Sequence, residues 1–315
     1  MHAIIVSAPG GPEVLEYAER PDPVPGDGEV VVDVAASGVN FIDIYHRSGA
    51  YPLPLPTTIG SEGAGTVSAV GPGVRDVAVG DTVAWASVLG SYTEKAVVPA
   101  DRVVPVPDGV PAEVAAAAML QGLTAHYLTH STYVVKEGDQ VLIHAGAGGM
   151  GQLLIQLAKL KGAQVSTTVS SSEKEKLARE AGADEVLRYD SFAEALRGSI
   201  NVVYDGVGAT TFDGGLEALR PRGLMALYGA ASGPVPPVDP QTLNKQGSLF
   251  LTRPTLAHYI AERAELLQRA SDLFGWIASG QLTINVSHRY ALADARQAHD
   301  DLAARRTTGK LLLIP

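Results

Sequence analysis

Residues 140–162 read QVLIHAGAGGMGQLLIQLAKLKG, and this stretch decides the fold of the chain. It begins as a short apolar run of strand length and ends with leucines at helical spacing. Between them lies Gly-x-Gly-x-x-Gly, whose glycines allow a tight turn, the approach of a pyrophosphate and close packing of the helix. The helix N-terminus adds free N–H groups and partial positive charge. We therefore predict dinucleotide binding. The alternative is a merely structural turn, since 34 glycines make a chance match easy.

Composition narrows the class of protein. The chain has 315 residues, the usual length for about two domains. Its net charge is 24 − 34 = −10, and no basic run occurs, which argues against nucleic acid as a partner. Cysteine is absent, which excludes disulfides, thiol catalysis and cysteine-ligated zinc and fits a reducing cytoplasm. We expect no signal peptide and no membrane span.

The predicted secondary structure changes along the chain, from mainly strands to alternating strands and helices. Residues 1–110 show short β-rich runs separated by Pro and Gly turns, which predict a small barrel. An Ala-rich helix is expected to begin at 111–118, and a further helix is expected over 124–133. From residue 141 strands alternate with helices, which predicts a doubly wound parallel sheet. Its expected strands are 141–145, 164–169, 185–188, 201–205, 223–228 and 248–251, with helices at 173–181 and 212–219.

The tail returns to mixed character. We expect a long helix over 256–280, a strand over 281–290, a helix over 294–305 and a last strand over 310–314. The tail could complete the first domain. The active cleft would then lie between two domains, which is a common place for ligand sites.

The end of the second strand of the sheet indicates the cofactor. In NAD-binding folds an acid about twenty residues beyond the glycine loop holds the ribose 2′-hydroxyl. Here no acid appears before Glu173, and Ser170, Ser171, Ser172 and Lys174 suit a 2′-phosphate better. We therefore predict NADPH over NADH. The serines could instead simply cap the next helix, and both roles are compatible.

Several further motifs resemble the medium-chain dehydrogenase/reductase superfamily, in particular its zinc-free NADPH:quinone oxidoreductases, which include zeta-crystallin. They are HAGAGGMG at 144–151, GVNFIDIY at 38–45, GSEGAG at 60–65, LQGLTA at 120–125, VYDGVG at 203–208, LTRP at 251–254 and RRTTGKLLLIP at 305–315. The resemblance implies an α/β chain with a GroES-like β-barrel catalytic domain and a Rossmann doubly wound parallel-sheet domain. We expect the catalytic domain at 1–120 and 252–315, and the Rossmann domain at 121–251.

The chain departs from the zinc alcohol dehydrogenases. Those relatives carry a cysteine just before the segment resembling Val39-Asn40 and a histidine where this chain has Ser61. No metal is therefore expected. His126 and His130 could share a helix face, but their flanks show no zinc motif, and we interpret them as ordinary helix residues.

The resemblance implies hydride transfer from NADPH to a quinone or another conjugated acceptor. Hydrogen-bond donors would then have to support charge on the acceptor oxygen. The catalytic candidates are Asn40, Tyr45 and Tyr51, because a tyrosine combines an apolar ring with a hydroxyl donor. Asp43 is expected to orient its neighbours, and Glu62, which matches a glutamate near the metal in zinc relatives, is expected to be structural.

The resemblance also implies a set of cofactor contacts running from the nicotinamide to the adenine ribose. They are Asn40, Thr124, Gly148, Gly149, Met150, Gly151, Ser171, Lys174, Tyr189, Tyr228, Gly229, Leu251, Thr252, Arg253 and Arg305. Two other functions stay open: an alkenal or enone double-bond reductase, and a non-catalytic NADPH-binding protein. A homodimer is expected, since the family is usually dimeric or tetrameric through the edge of the Rossmann sheet, and the β-rich run 248–252 could serve as its interface.

Overall fold

The computed structural model describes residues 1–315 and divides them into two compact units, 1–123 with 260–315, and 124–259. Residues 1–127 form these elements: β1 His2–Val6, β2 Glu16–Glu19, β3 Glu29–Val39, α1 Phe41–Ser48, β4 Thr57–Thr58, β5 Glu62–Val70, β6 Thr82–Ala86, β7 Lys95–Pro99, β8 Val104–Pro105 and α2 Ala112–Tyr127. The domain boundaries expected at 120/121 and 251/252 stay a prediction.

The segment of residues 140–259 alternates strands and helices. Its elements are β9 Gln140–Ile143, α3 Gly149–Leu160, β10 Gln164–Thr168, α4 Ser172–Glu180, β11 Glu185–Leu187, α5 Phe192–Ala195, β12 Ile200–Asp205, α6 Phe212–Ala218, β13 Leu219–Leu227, α7 Pro240–Lys245, β14 Phe250–Thr252 and α8 Leu256–Tyr259. The chain ends with α9 Arg263–Ala278, β15 Val286–Ala291, α10 Ala295–Ala303 and β16 Lys310–Ile314.

The six strands of the second unit form one parallel sheet in the order β11-β10-β9-β12-β13-β14. The first strand along the chain, β9, lies near the middle, and the strands after it run outward on both sides. This is the order of doubly wound dinucleotide-binding sheets. Leu142 and Val203 lie in the buried core on one face of this sheet. The predicted parallel sheet is confirmed, and the loops after its strands share one edge.

The first unit is built around β3, an eleven-residue strand that pairs antiparallel with β5, β7 and β16. Its residues Val30 and Val32 are fully buried in an apolar core with Trp85. Strand β16 also pairs with β15, so the last residues of the chain are part of the sheet that β3 organises.

Some expected boundaries are wrong. One helix runs through 112–127 and continues as a π-helical turn over Leu128–Thr132, where two helices were expected. The long helix expected over 256–280 is interrupted: Ile260 is buried, and its carbonyl accepts a hydrogen bond from Arg102 Nη1 at 2.8 Å. The strand expected over 281–290 instead spans Val286–Ala291, five residues after its expected start. Strand β13 begins at Leu219, four residues before its expected start at 223.

Candidate functional site

The turn after β9 is tightly constrained. Ala145 has φ 58°, a left-handed conformation that is costly for a residue with a Cβ. Gly148 N donates to Ala145 O at 2.9 Å, and the first helical bond runs from Gln152 N to Gly148 O at 3.0 Å. The N–H groups of Gly149, Met150 and Gly151 therefore precede the first bond of α3 and are available to an anion.

The glycines of this turn have different steric roles. A Cβ on Gly151 would lie 2.3 Å from Ala145 O, and one on Gly146 would lie 2.2 Å from Thr167 Oγ1. A Cβ on Gly148 would meet only Ala145 O, at 3.3 Å. Gly146 and Gly151 are thus required by the packing of the turn, whereas Gly148 leaves its other side open to a ligand. The turn and its free N–H groups fit a pyrophosphate.

A buried histidine lies beneath the turn. Thr168 Oγ1 accepts from Ala145 N at 3.3 Å and lies 2.9 Å from His144 Nδ1. Burial lowers the pKa of His144 to about 4, so its ring is neutral near neutral pH. The Thr168 hydroxyl can then donate to Nδ1 while accepting from Ala145. This chain of hydrogen bonds connects β9 to β10 and helps to hold the strained residue.

The next loops along the same edge hold the residues expected near the adenine ribose. Ser171 caps α4 by accepting from Lys174 N at 3.3 Å. The ring of Tyr189 stacks over that of His144 with centroids 6.3 Å apart. Arg188, which the sequence reasoning missed, donates from Nη2 to Ser172 Oγ at 3.3 Å. The sheet therefore brings hydroxyls and cations together beside the end of β10.

The remaining expected contacts of this unit follow the later strands. Tyr228 N and Gly229 N both donate to Asp205 O, at 2.8 and 3.3 Å, and a Cβ on Gly229 would lie 2.6 Å from Gly206 O. Leu251 and Thr252 pair with β13, and Arg253 follows them. Thr124 lies almost buried in α2. The candidate residues of this unit that follow its strands thus lie at the carboxyl edge of the sheet, where ligands bind in such folds.

In the first unit Asn40 is the centre of a buried polar network. Its Oδ1 accepts from Lys310 Nζ at 2.7 Å and from Gln121 Nε2 at 3.3 Å. Its Nδ2 donates to Glu62 Oε1 at 2.6 Å and to Gly38 O at 3.4 Å. The protein therefore already uses every polar position of this amide. For Asn40 Nδ2 to donate a hydrogen bond to a substrate, its longer bond, to Gly38 O, would have to break.

Lys310 and Glu62 form an ion pair inside this network. Lys310 Nζ contacts Glu62 Oε1, and their side chains are 2% and 0% exposed. Glu62 Oε2 also accepts from Leu120 N at 2.6 Å. Sequence reasoning missed Lys310, because nothing local links it to residues so far away in the chain. Its position orients the Asn40 amide, since the ammonium requires an oxygen and not an NH₂ group beside it.

Helix α1, which follows Asn40, carries an aromatic cluster. The rings of Tyr45 and Tyr51 lie 5.2 Å apart, and those of Phe41 and Tyr45 lie 6.4 Å apart. Tyr51 is 42% exposed. The two expected tyrosines are therefore neighbours, and the side chain of Tyr51 is partly exposed. Arg305 of the same unit is exposed after α10 and has φ 55°.

Asp43 orients its neighbours from a fully buried position. Its carboxylate accepts from Asn40 N at 2.8 Å, Ser61 Oγ at 2.7 Å and Tyr92 OH at 3.0 Å. Burial raises the pKa of Asp43 to about 6 despite these bonds. Ser61, at the position of a zinc-ligating histidine in distant relatives, is thus committed to Asp43.

In the second unit the rings of His126 and His130 stack with centroids 4.5 Å apart.

Comparison with known proteins agrees with this fold. The family model for the alcohol dehydrogenase GroES-like domain matches residues 26–108, and that for zinc-binding dehydrogenase matches 149–274. The quinone oxidoreductase of Pseudomonas aeruginosa is 47% identical over 98% of both chains. The 2-haloacrylate reductase of a Burkholderia species is 40% identical over 99% of this chain and 98% of its own.

Solved structures give the same result. The quinone oxidoreductase of Escherichia coli in complex with NADPH has a TM-score of 0.96 at 41% identity over the whole of both chains. A mycobacterial protein in complex with NADPH reaches 0.97 at 53% identity, also over both whole chains. The chain belongs to the quinone oxidoreductase family of the medium-chain dehydrogenases/reductases.

The family resemblance and the predicted fold class, a GroES-like domain with a parallel-sheet Rossmann domain, are confirmed. The protein is an oxidoreductase. None of its helices combines the length and the apolarity that crossing a membrane requires.

Proposed function

We propose that this protein is an NADPH-dependent quinone reductase. The observation that carries the proposal is the carboxyl edge of the parallel sheet, where an open glycine turn lies beside Ser171, Lys174 and Arg188 with no acid at the end of β10. Relatives that match the whole chain are quinone oxidoreductases, and two similar structures contain NADPH. When bound, the cofactor supplies a hydride.

The chain binds and orients both reactants. We assign the pyrophosphate to the N–H groups of Gly149, Met150 and Gly151, and the 2′-phosphate to Ser171, Lys174 and Tyr189. The nicotinamide half of the site is assigned to Asn40, Thr124, Tyr228, Gly229, Leu251, Thr252, Arg253 and Arg305. The Rossmann domain of the proposal is 121–251, with the catalytic domain in 1–120 and 252–315.

The acceptor is assigned to the aromatic cluster on and after α1. The rings of Tyr45 and Tyr51 offer apolar surface to a flat quinone. Their hydroxyls, with the amide of Asn40, are the catalytic groups that stabilise charge developing on the acceptor oxygen. Lys310 and Glu62 hold that amide in a fixed orientation.

A second candidate is reduction of an activated carbon–carbon double bond. It is favoured by the relative named 2-haloacrylate reductase, which is 40% identical and matches nearly the whole chain. The two functions use the same cofactor and differ in the acceptor, so the acceptor must be tested directly.

The test follows nicotinamide absorbance with NADPH and NADH, each offered para-benzoquinone and a simple alkenal. We expect fast turnover of NADPH with the quinone and much slower turnover of NADH. Turnover with the alkenal alone would replace the proposal by the second candidate. NADPH binding without turnover of either acceptor would favour a non-catalytic role.

We further propose that the protein is located in the cytoplasm, because its lack of cysteine fits a reducing compartment. We also propose that it forms a homodimer through the edge of the parallel sheet. Strand β14 is the last strand of that sheet and pairs only with β13. Phe250 on this strand is 60% exposed, which is unusual for a large aromatic residue on an edge strand. Light scattering should give the mass of two chains for the wild type and of one chain for Phe250→Lys. A wild-type mass of one chain would refute the dimer.

A further inference from the structure

Arg188 lies where the ribose end of a dinucleotide is read in a doubly wound sheet. Strands β10 and β11 are parallel neighbours, and Thr168 is paired with Leu187 at their carboxyl ends. One residue further, Val169 N donates to Leu187 O at 3.0 Å. Arg188 therefore begins the loop directly beside the one that runs from Val169 to the Ser171 cap of α4. In NAD-binding folds the acid that holds the ribose follows the strand equivalent to β10, in this neighbouring loop.

The guanidinium of Arg188 is only partly satisfied by the chain. Its Nη2 contacts Ser172 Oγ at 3.3 Å and Glu175 Oε2 at 3.6 Å. Its Nη1 is buried and has no hydrogen-bond partner. A buried donor of a charged group is costly without an acceptor, and a bound anion is one partner that would satisfy it. The guanidinium of Arg188 can therefore bind an anion beside Ser172 without breaking a short hydrogen bond, because its present contacts are at 3.3 Å or longer.

The acidic residues at the start of α4 are a second reason why a phosphate bound there needs the positive charge of Arg188. Its first turn contains Glu173 and Glu175, which stabilise the N-terminus of the helix but would repel a phosphate placed there. Lys174 is one compensating cation. Arg188 is a second, and its planar fork binds phosphate oxygens in two places where a lysine binds as a point charge.

We propose that Arg188 is a specificity-determining residue that binds the 2′-phosphate of NADPH, with Glu175 holding its guanidinium in place beside Ser172. The proposal rests on the proposed function only in its use of NADPH. Discrimination against NADH then depends on Arg188, which follows β11, as well as on Ser171 and Lys174 at the start of α4.

The chain provides a matched control. Arg179 also pairs with Glu175, with Nη2 and Nε at 2.8 and 3.0 Å from Oε1, but it lies on α4 and contacts neither serine. Arg188→Met should weaken NADPH binding by about 10- to 100-fold, the loss that a missing hydrogen bond to a charged group produces, and leave NADH binding unchanged. Arg179→Met should change neither by more than about twofold.

Titration with 2′,5′-ADP and 5′-AMP isolates the effect, because these probes differ only in the 2′-phosphate. Arg188→Met should lose the preference for 2′,5′-ADP, and Arg188→Lys should restore part of it. Glu175→Gln should reduce the preference by less than Arg188→Met does, because Glu175 positions the guanidinium and does not bind the phosphate. Equal loss for both probes in Arg188→Met, or a loss in Glu175→Gln as large as that in Arg188→Met, would overturn the proposal. If the wild type prefers 2′,5′-ADP but reduces no quinone, the proposed function fails and the assignment of Arg188 stands.

Discussion

Lys310→Met is expected to lower the free energy of unfolding by about 3–5 kcal/mol, because it leaves the carboxylate of Glu62 buried without a counter-charge. The same change removes one of the two donors to Asn40 Oδ1 and so weakens the hydrogen bonding that orients this amide. Urea denaturation measures the stability. Turnover per folded molecule should fall as well if Asn40 is catalytic as proposed.

Two further variants make this result specific. Lys245→Met removes an exposed lysine and should change stability by less than about 0.5 kcal/mol. Adding Glu62→Gln to Lys310→Met removes the uncompensated charge while keeping hydrogen-bonding groups, and should recover at least half of the loss. A loss below about 1 kcal/mol in Lys310→Met would show that the ion pair contributes little.

Gly151→Ala is expected to damage both folding and cofactor binding. The added Cβ would lie 2.3 Å from Ala145 O and 2.7 Å from Gly146 Cα, and backbone atoms cannot rotate away as a flexible side chain can. We expect a loss of about 1–3 kcal/mol in stability, as for other overpacked sites. NADPH affinity should fall at least about tenfold, because α3 and its free N–H groups must move.

Gly275→Ala is the matched control for this change. Gly275 is an exposed residue of α9, and a Cβ there would meet nothing within 4 Å. Alanine should stabilise this helix by up to about 1 kcal/mol and leave NADPH binding unaltered. Wild-type stability and affinity in Gly151→Ala would mean that the turn tolerates a side chain, and the steric role given to Gly151 would be wrong.

The features that could be predicted from sequence are those set by neighbours along the chain. The strand, glycine turn and helix of 140–162 follow from local patterns, and the parallel sheet follows from the alternation after them. The break after Tyr259 was missed because a tertiary contact causes it: Ile260 is buried and its carbonyl accepts from Arg102. Helical periodicity does not report such contacts.

The polar network around Asn40 shows the same limit more clearly. Asn40 and Glu62 could be singled out from their motifs, but the lysine that pairs with them is brought there by β16, from the other end of the chain. Arg188 was missed for a related reason, since only the pairing of β10 with β11 places it beside Ser172. The roles of Asn40, Tyr45 and Tyr51 stay predictions, and the structure adds that Asn40 already has protein partners.

The pairing of β16 with β3 bears on how the protein is made. Residues 124–259 are continuous, so this unit can fold as soon as it has left the ribosome. The other unit cannot, because Leu311, Leu312 and Leu313, which pair with β3, are translated only after the whole of residues 124–259. Until they arrive, β3 lacks one partner strand and Glu62 lacks its cation. Nascent chains should therefore need chaperones for the unit that contains β3, and a variant without residues 310–315 should not complete the folding of that unit.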